Sequence, residues 1–506
     1  MRKLLSINNA YFPAFINSGI FFIISLVFFL IQPESRLLLL LPPLIFSIGS
    51  FFIFLSLIKS LRVFEPLTWF ILGSGIFFGI GVIAGGLNSH EWTRHIFGES
   101  YEHLLGVNLL NSSSVLIILT VGILVLGDRS MKTFRQSLNQ EKSNIFAQIF
   151  PYLLFFSFVA ILLRFIFFPY AEDLVIRSVI NKISFFIPSI FVIGGYILKD
   201  LTRNQFISFI VIFLLQVSLG VLSFNKSDIL MPIIALLIGL WANNSTYKFL
   251  VFSLLIPIII FWITNPFVTI GRKHDTYVAS LISDEIFLSD RVNIFVDIMS
   301  IKLSKNSVNS VNSVNSINSQ LSNDLSFQNT HNSEYVFFTR LKGIGMRLDI
   351  ATIQGWLIRE YNNQRPGKSM DDFFSVLIPR VIWPSKPIVT RRGNELNKLY
   401  YGQTLSSVAP TYSAEAYWNY GSIGLIGISI YLGLFFGWLS RLVYSSKRGM
   451  EPAYFFVTYH AIFSAIFLES WIVSTYVGGI AIIIIFFFMI KFLLLIYHRI
   501  WGLKHA

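Results

Sequence analysis

The chain has 506 residues, of which 54% are apolar and only 13% charged, and its mean hydropathy of +0.67 excludes an ordinary water-soluble domain. A formal net charge of +13 suits a nucleic-acid partner, yet the basic residues sit between apolar blocks and at the chain ends, where they read as membrane-topology signals. Cysteine is absent, which excludes a disulfide framework, thiolate metal ligands and a cysteine nucleophile.

Met1-Arg2-Lys3 precedes an apolar block too long for a cleaved leader, so the first span is expected to be retained. Blocks suited to crossing hydrocarbon as helix run Phe12–Ile31, Leu37–Ile58, Leu67–Leu87, Leu109–Leu126 and Ile145–Phe168. Ile183–Leu198, Phe206–Phe224, Ile229–Ala242 and Phe249–Thr264 follow, and Ala416–Tyr444, Ala453–Ser474 and Gly478–Tyr497 close the chain. The expected fold is an all-α polytopic membrane protein of about 12 transmembrane helices, with a large external loop between the ninth and tenth. Residues 1–264 would form the first bundle, 265–412 the loop, and 413–506 the last spans with a cytoplasmic C-terminus. Gly73, Gly75, Gly79, Gly81 and Gly85 in the third span form a small-residue pattern that lets another helix approach closely.

With the N-terminus in the cytoplasm, Lys59/Arg62, Arg129/Lys132/Arg135/Lys142, Lys199/Arg203, Lys248, Lys447/Arg448 and Arg499/Lys504 fall on one side, the positive-inside pattern. Within the external loop, Asn306–Ser319 reads NSVNSVNSVNSINS, and 304–333 is expected to be a disordered insertion, since a polar tandem repeat cannot bury a core. Glu334–Glu360 has spacing suited to an interfacial helix pair carrying Arg340, Lys342 and Arg347. Ile378–Pro387 holds three prolines and presents Arg380, Trp383 and Lys386, with Arg391 and Arg392 close behind. Such cations on a stiffened segment suit a diphosphate; the alternative is a loop that simply faces lipid head groups.

Ionisable residues inside the spans gather toward the external side: Arg164, Glu415 and Glu469, with His460 and Gln216 deeper. Neither a D-x-D pair nor a histidine spacing that would hold a metal occurs, so no metal and no cofactor are expected, and a nucleotide-sugar donor is disfavoured. Gly367-Lys368-Ser369 imitates the end of a phosphate loop, but Asn362 stands where that motif needs glycine. The remaining chemistry fits glycosyl transfer from a lipid diphosphate. Arg340, Arg347, Arg380, Lys386, Arg391 and Arg392 would bind the diphosphate, and Trp383, Tyr412, Tyr417, Trp418 and Asn419 the glycan. Glu415, with Glu469 as partner, would accept the hydroxyl proton, since partial desolvation suits a boundary carboxylate to that task; a helix-start carboxylate opposing the dipole is the alternative.

Two segments carry a resemblance: IPRVIWPSKP (Ile378–Pro387) followed by Arg391-Arg392-Gly393-Asn394, and PTYSAEAYWNYGSIG (Pro410–Gly424). In them, and in its plan of many spans with a late external loop, the chain resembles the Wzy-type oligosaccharide repeat-unit polymerases of O-antigen and exopolysaccharide assembly. The resemblance implies a bacterial inner-membrane enzyme that joins undecaprenyl-diphosphate-linked units by en bloc transfer, beside a flippase and a chain-length regulator of the same pathway. A ligase moving a finished glycan, or a lipid-linked-oligosaccharide flippase or transporter, are the alternatives.

Overall fold

The computed structural model describes principally residues 10–60, 62–87, 102–127, 142–167, 187–224, 226–243, 288–306, 349–371, 373–378, 391–401, 409–445 and 452–480, with isolated positions between them such as Phe97. In lipid every backbone N–H and C=O must be satisfied within the segment, and apolar blocks accordingly become helices. In chain order these are α1 (Phe12–Ile31), α2 (Arg36–Lys59), α3 (Pro66–Leu87), α4 (Glu102–Leu126), α5 (Lys142–Leu162), α6 (Ile187–Tyr196), α7 (Arg203–Leu222) and α8 (Lys226–Asn243). Then follow α9 (Leu288–Asn306), α10 (Ala351–Asn362), α11 (Phe373–Leu377), α12 (Arg391–Tyr401), α13 (Tyr412–Ser445) and α14 (Pro452–Ile466). Among the described residues, seven helices (α1 to α4, a segment of α5 with its continuation, α7 and most of α13) are long and apolar enough to cross a membrane, and α6 and α8 are shorter apolar helices. Within that same set there is no strand, only an isolated bridge between Thr411 and Glu469.

Start signals are local. Pro66 opens α3, where its missing N–H costs nothing, and Thr202 with Gln205 forms a reciprocal capping box on α7. The small-residue pattern of α3 is used for close packing: a Cβ on Gly73 would lie 2.6 Å from the carbonyl oxygens of Ala465 and Ile466 in α14, and one on Gly79 would lie 2.5 Å from Ser47 Cβ in α2.

Three elements depart from the expected bounds. α4 begins at Glu102, seven residues before the apolar block at Leu109. Helix continues past the end of an apolar block when an acidic first turn favours its N-terminus. α14 ends at Ile466 and the chain turns through Phe467–Trp471, so Glu469 lies in the turn and not inside a span; helical structure resumes as the π-helical Ile472–Val477. The described half of the expected interfacial pair, α10, is instead buried between α4 and α13.

A polar network fixes α10 there. Asn111 of α4 and Gln354 of α10 exchange amide hydrogen bonds of 3.0 and 3.2 Å, Gln354 also donates to Thr411 Oγ1 at 2.5 Å, and Ser413 donates to Asn111 at 3.0 Å. Each of these groups is wholly buried, and each bond adds about 1 kcal/mol net, far less than the loss of a partner would cost. Elsewhere Arg62 pairs with buried Glu65 at 3.0 Å, to which Tyr11 also donates, and Arg164 pairs with Asp228. Gln216 and His460 are buried.

Candidate functional site

The last turn of α10 forms part of the rim of a cleft of about 1000 Å³ between α1, α4, α10 and α13. Its floor is mostly apolar, with Phe22 from α1, Leu109, Leu116 and Ile117 from α4, and Leu425 and Ile426 from α13, and it includes Ser113, whose hydroxyl donates to the Leu109 carbonyl of its own helix. Its rim is polar, with Glu102 and His103 at the start of α4, Arg359 and Asn362 at the end of α10, and Tyr417 and Ser422 on α13. Glu102 to Ile117 spans about 22 Å of helix, more than the roughly 15 Å hydrocarbon depth of one leaflet. Phe29 and Ile426 also line the cleft and stay largely exposed, so it opens sideways onto the lipid-facing surface.

Aromatic contacts shape the rim. The Phe97 ring stacks on His103 with centroids 4.1 Å apart, and the Arg359 guanidinium carbon lies 5.2 Å from the Phe97 centroid, a cation–π contact that orients the guanidinium. Tyr417 donates to Asn362 Oδ1 at 3.2 Å and meets Tyr361 edge-on. Between Tyr417 and Ser422 the helical path of α13 breaks: Gly421 has φ +61°, and a Cβ there would lie 2.5 Å from the Tyr361 hydroxyl, so glycine suits the position twice over. A polar rim holding one guanidinium and one carboxylate over a largely apolar floor suits a ligand with a polar head and a long apolar tail.

The residues expected from sequence fall into separate places. Glu415 is fully buried and does not border the cleft; its Oε1 accepts from the Ser369 hydroxyl at 2.7 Å and its Oε2 from the Ile472 N–H at 2.6 Å. Asn419 is buried beside it, donating to Ser369 Oγ at 2.9 Å and accepting from Met370 N–H. Glu469 is exposed. The Tyr412 ring is wholly buried, edge-on to Phe78 and Tyr476, with its hydroxyl accepting from Ser114, so neither face is open to a sugar. Trp418 covers Gly367 and donates to the Arg365 carbonyl at 3.2 Å, and Trp383 is exposed. Arg392 pairs with Glu395 at 3.3 Å on α12, which packs through Tyr400 against Trp356 of α10; Arg391 stands at the start of the same helix. Arg340, Arg347, Arg380 and Lys386 lie outside the described residues, as does most of the 304–333 insertion beyond Asn306.

Of the rim, sequence reading found only Tyr417. Glu102 and His103 lie before the apolar block that starts at Leu109, and Arg359 falls within the segment whose spacing suits an interfacial helix pair. A usable signal was present: Asn108 just before the fourth apolar block, and Asn111 and Ser114 within it, call for buried polar partners. No family model, curated protein or solved structure matches the chain.

Proposed function

We propose that the protein is a polysaccharide polymerase of about 12 spans in a bacterial inner membrane, with both termini cytoplasmic, that transfers oligosaccharide en bloc between undecaprenyl-diphosphate carriers at the outer face. The observation that carries the reading is the cleft, whose apolar floor suits a polyprenyl tail and whose rim gathers Arg359, Asn362, Glu102 and His103 at one end of it. The acceptor sugar's hydroxyl oxygen attacks the anomeric carbon of the donor, and the bond from that carbon to the diphosphate breaks. The diphosphate leaves with the electron pair, and the hydroxyl proton passes to a base. Arg359 neutralises charge on the departing diphosphate, and Glu102, exposed at the rim, takes the proton. Arg340, Arg347, Arg380, Lys386, Arg391 and Arg392 add cationic charge for the two carriers the reaction brings together. Trp383 and Trp418 offer aromatic surfaces to the glycan.

A ligase would use the same donor chemistry with a different acceptor. A flippase would need polar groups through the full depth of the bilayer, whereas this cleft is polar at one end. Deleting the gene and resolving surface glycans on gels tests the reading. Loss of long chains with survival of single capped units is the expected result; unchanged chain lengths, or carrier-linked units trapped at the cytoplasmic face, would overturn it.

A further inference from the structure

The chain leaves α10 through Gln364, whose φ is +62°, and makes a turn that is tied back to α10 through Arg365 and Glu360 and whose long-range hydrogen bonds run to α13. Gly367 N–H donates to the Trp418 carbonyl at 2.9 Å, and Trp418 Nε1 donates back to the Arg365 carbonyl. Met370 N–H donates to Asn419, and the Ser369 hydroxyl donates to Glu415 while accepting from Asn419. Glu415 holds a third piece of chain as well, because its other oxygen accepts the first N–H of Ile472–Val477, where the chain re-enters helix after the turn at Glu469. The same carboxylate therefore ties the turn after α10, the start of α13 and the 472–477 segment together. Each of Glu415, Ser369 and Asn419 is buried.

Such an arrangement is ill suited to proton transfer at the cleft, since each oxygen already accepts a hydrogen bond and Glu415 does not line that cleft. It is well suited to holding something still. Arg359 and Asn362 occupy the last turn of α10, between the Gln354 network that seats the helix and the pinned turn that follows it. We propose that Glu415, with Ser369 and Asn419, is a positioning latch that fastens the turn after α10 to α13 and thereby fixes Arg359 and Asn362 at the cleft rim. It rests on the proposed reading of the cleft for its consequence in catalysis, but not for its geometry.

Glutamine and aspartate separate a latch from a base. Glu415→Gln keeps both contacts, its Oε1 accepting from Ile472 N–H and its Nε2 donating to Ser369 Oγ, at the cost of the acceptor for the Ser369 hydroxyl hydrogen. Glu415→Asp is one methylene short and cannot span both. A latch therefore ranks Gln above Asp, and a proton acceptor ranks Asp above Gln. The absence of cysteine makes the chain its own background for a measurement independent of activity. With Asn362→Cys and Tyr417→Cys introduced together, short bis-methanethiosulfonate linkers in purified full-length protein read the distance between the end of α10 and α13. Crosslinking should change least with Glu415→Gln, which keeps the contact to Ser369 and the bond from Ile472, and fall at least about threefold with Glu415→Asp, Glu415→Ala or Ser369→Ala, as buried hydrogen bonds are lost. In chains that retain Asn362 and Tyr417, transfer from a polyprenyl-diphosphate donor should follow the same order. Crosslinking that ignores Ser369→Ala and Glu415→Asp would overturn the latch; loss of transfer in Glu415→Gln with crosslinking intact would make Glu415 the base. If the unsubstituted protein shows no transfer at all, the reading of the cleft fails, while the crosslinking order still decides the latch.

Discussion

Two glutamates sit in the first turn of long helices, Glu102 in α4 and Glu415 in α13, and both oppose a helix dipole in the same way. Glu102 is exposed on the rim of the cleft, beside His103 and in company with Arg359. Glu415 is wholly buried, with one hydrogen-bond donor on each oxygen and, among the described residues, no ion pair. A carboxylate near a membrane boundary is therefore not one kind of residue. What separates the two is enclosure: chain segments far away in sequence, here Ser369 and Ile472, close Glu415 in, whereas Glu102 stays exposed at the rim.

The largest effect should come from the rim cation. Arg359→Ala should lower transfer about 1000-fold at unchanged abundance, because the charge that develops on the departing diphosphate loses its fixed partner. Arg359→Lys should recover only part of this, since an ammonium cannot reproduce a planar fork or the stacking on Phe97. Initial rates on purified protein decide it. Normal transfer by Arg359→Ala would move the diphosphate site out of the cleft.

Glu102→Gln sharpens the contrast between the carboxylates directly. Removing the proton acceptor while keeping shape should lower kcat about 100-fold and leave KM nearly unchanged. Equal activity for Glu102→Gln and the unsubstituted protein would leave the rim without its base.

The seven described helices long and apolar enough to cross a membrane were legible in the sequence and the cleft was not, for physical reasons that particular residues show; the expected spans Phe249–Thr264 and Gly478–Tyr497 fall only in part within the described residues. α1 runs Phe12–Ile31, the same bounds as the apolar block, because in lipid an uninterrupted apolar stretch has no alternative to helix. α10 was legible as a helix but not as a buried one. Arg359 and Glu360 look like a wet face, and only the reciprocal amides of Asn111 and Gln354, 243 positions apart, seat it between spans. Ser369 was legible only as a decoy within Gly367-Lys368-Ser369, and its actual partner is Glu415. The chain's boundary carboxylate was visible; the donors that fill its lone pairs were not.

A smaller effect is expected at the floor. Leu116→Trp adds bulk to the apolar wall and should raise KM about tenfold for a donor on a full-length polyprenyl chain, with little change for a donor on a short prenyl analogue whose tail ends above Leu116. The comparison of the two donors isolates the tail, and equal sensitivity would show that the floor does not hold it.

The smallest effect belongs to the tandem repeat. Removing Val308–Asn318 takes out only Asn, Ser and small apolar residues, none able to serve as acid, base or cation, and too little apolar surface to contribute a core. The described part of α9 ends at Asn306, before the deletion begins, so its helical hydrogen bonds are untouched. Shortening a connecting segment changes loop-closure entropy only logarithmically, by a few tenths of a kcal/mol. Polymer made by the deleted chain should therefore fall within about twofold of the full chain at equal abundance, measured as band intensity on glycan gels. Loss of polymer at normal protein level would mean that the repeat sets the distance between α9 and α10, and a Gly-Ser segment of equal length would then restore activity where a shorter one would not.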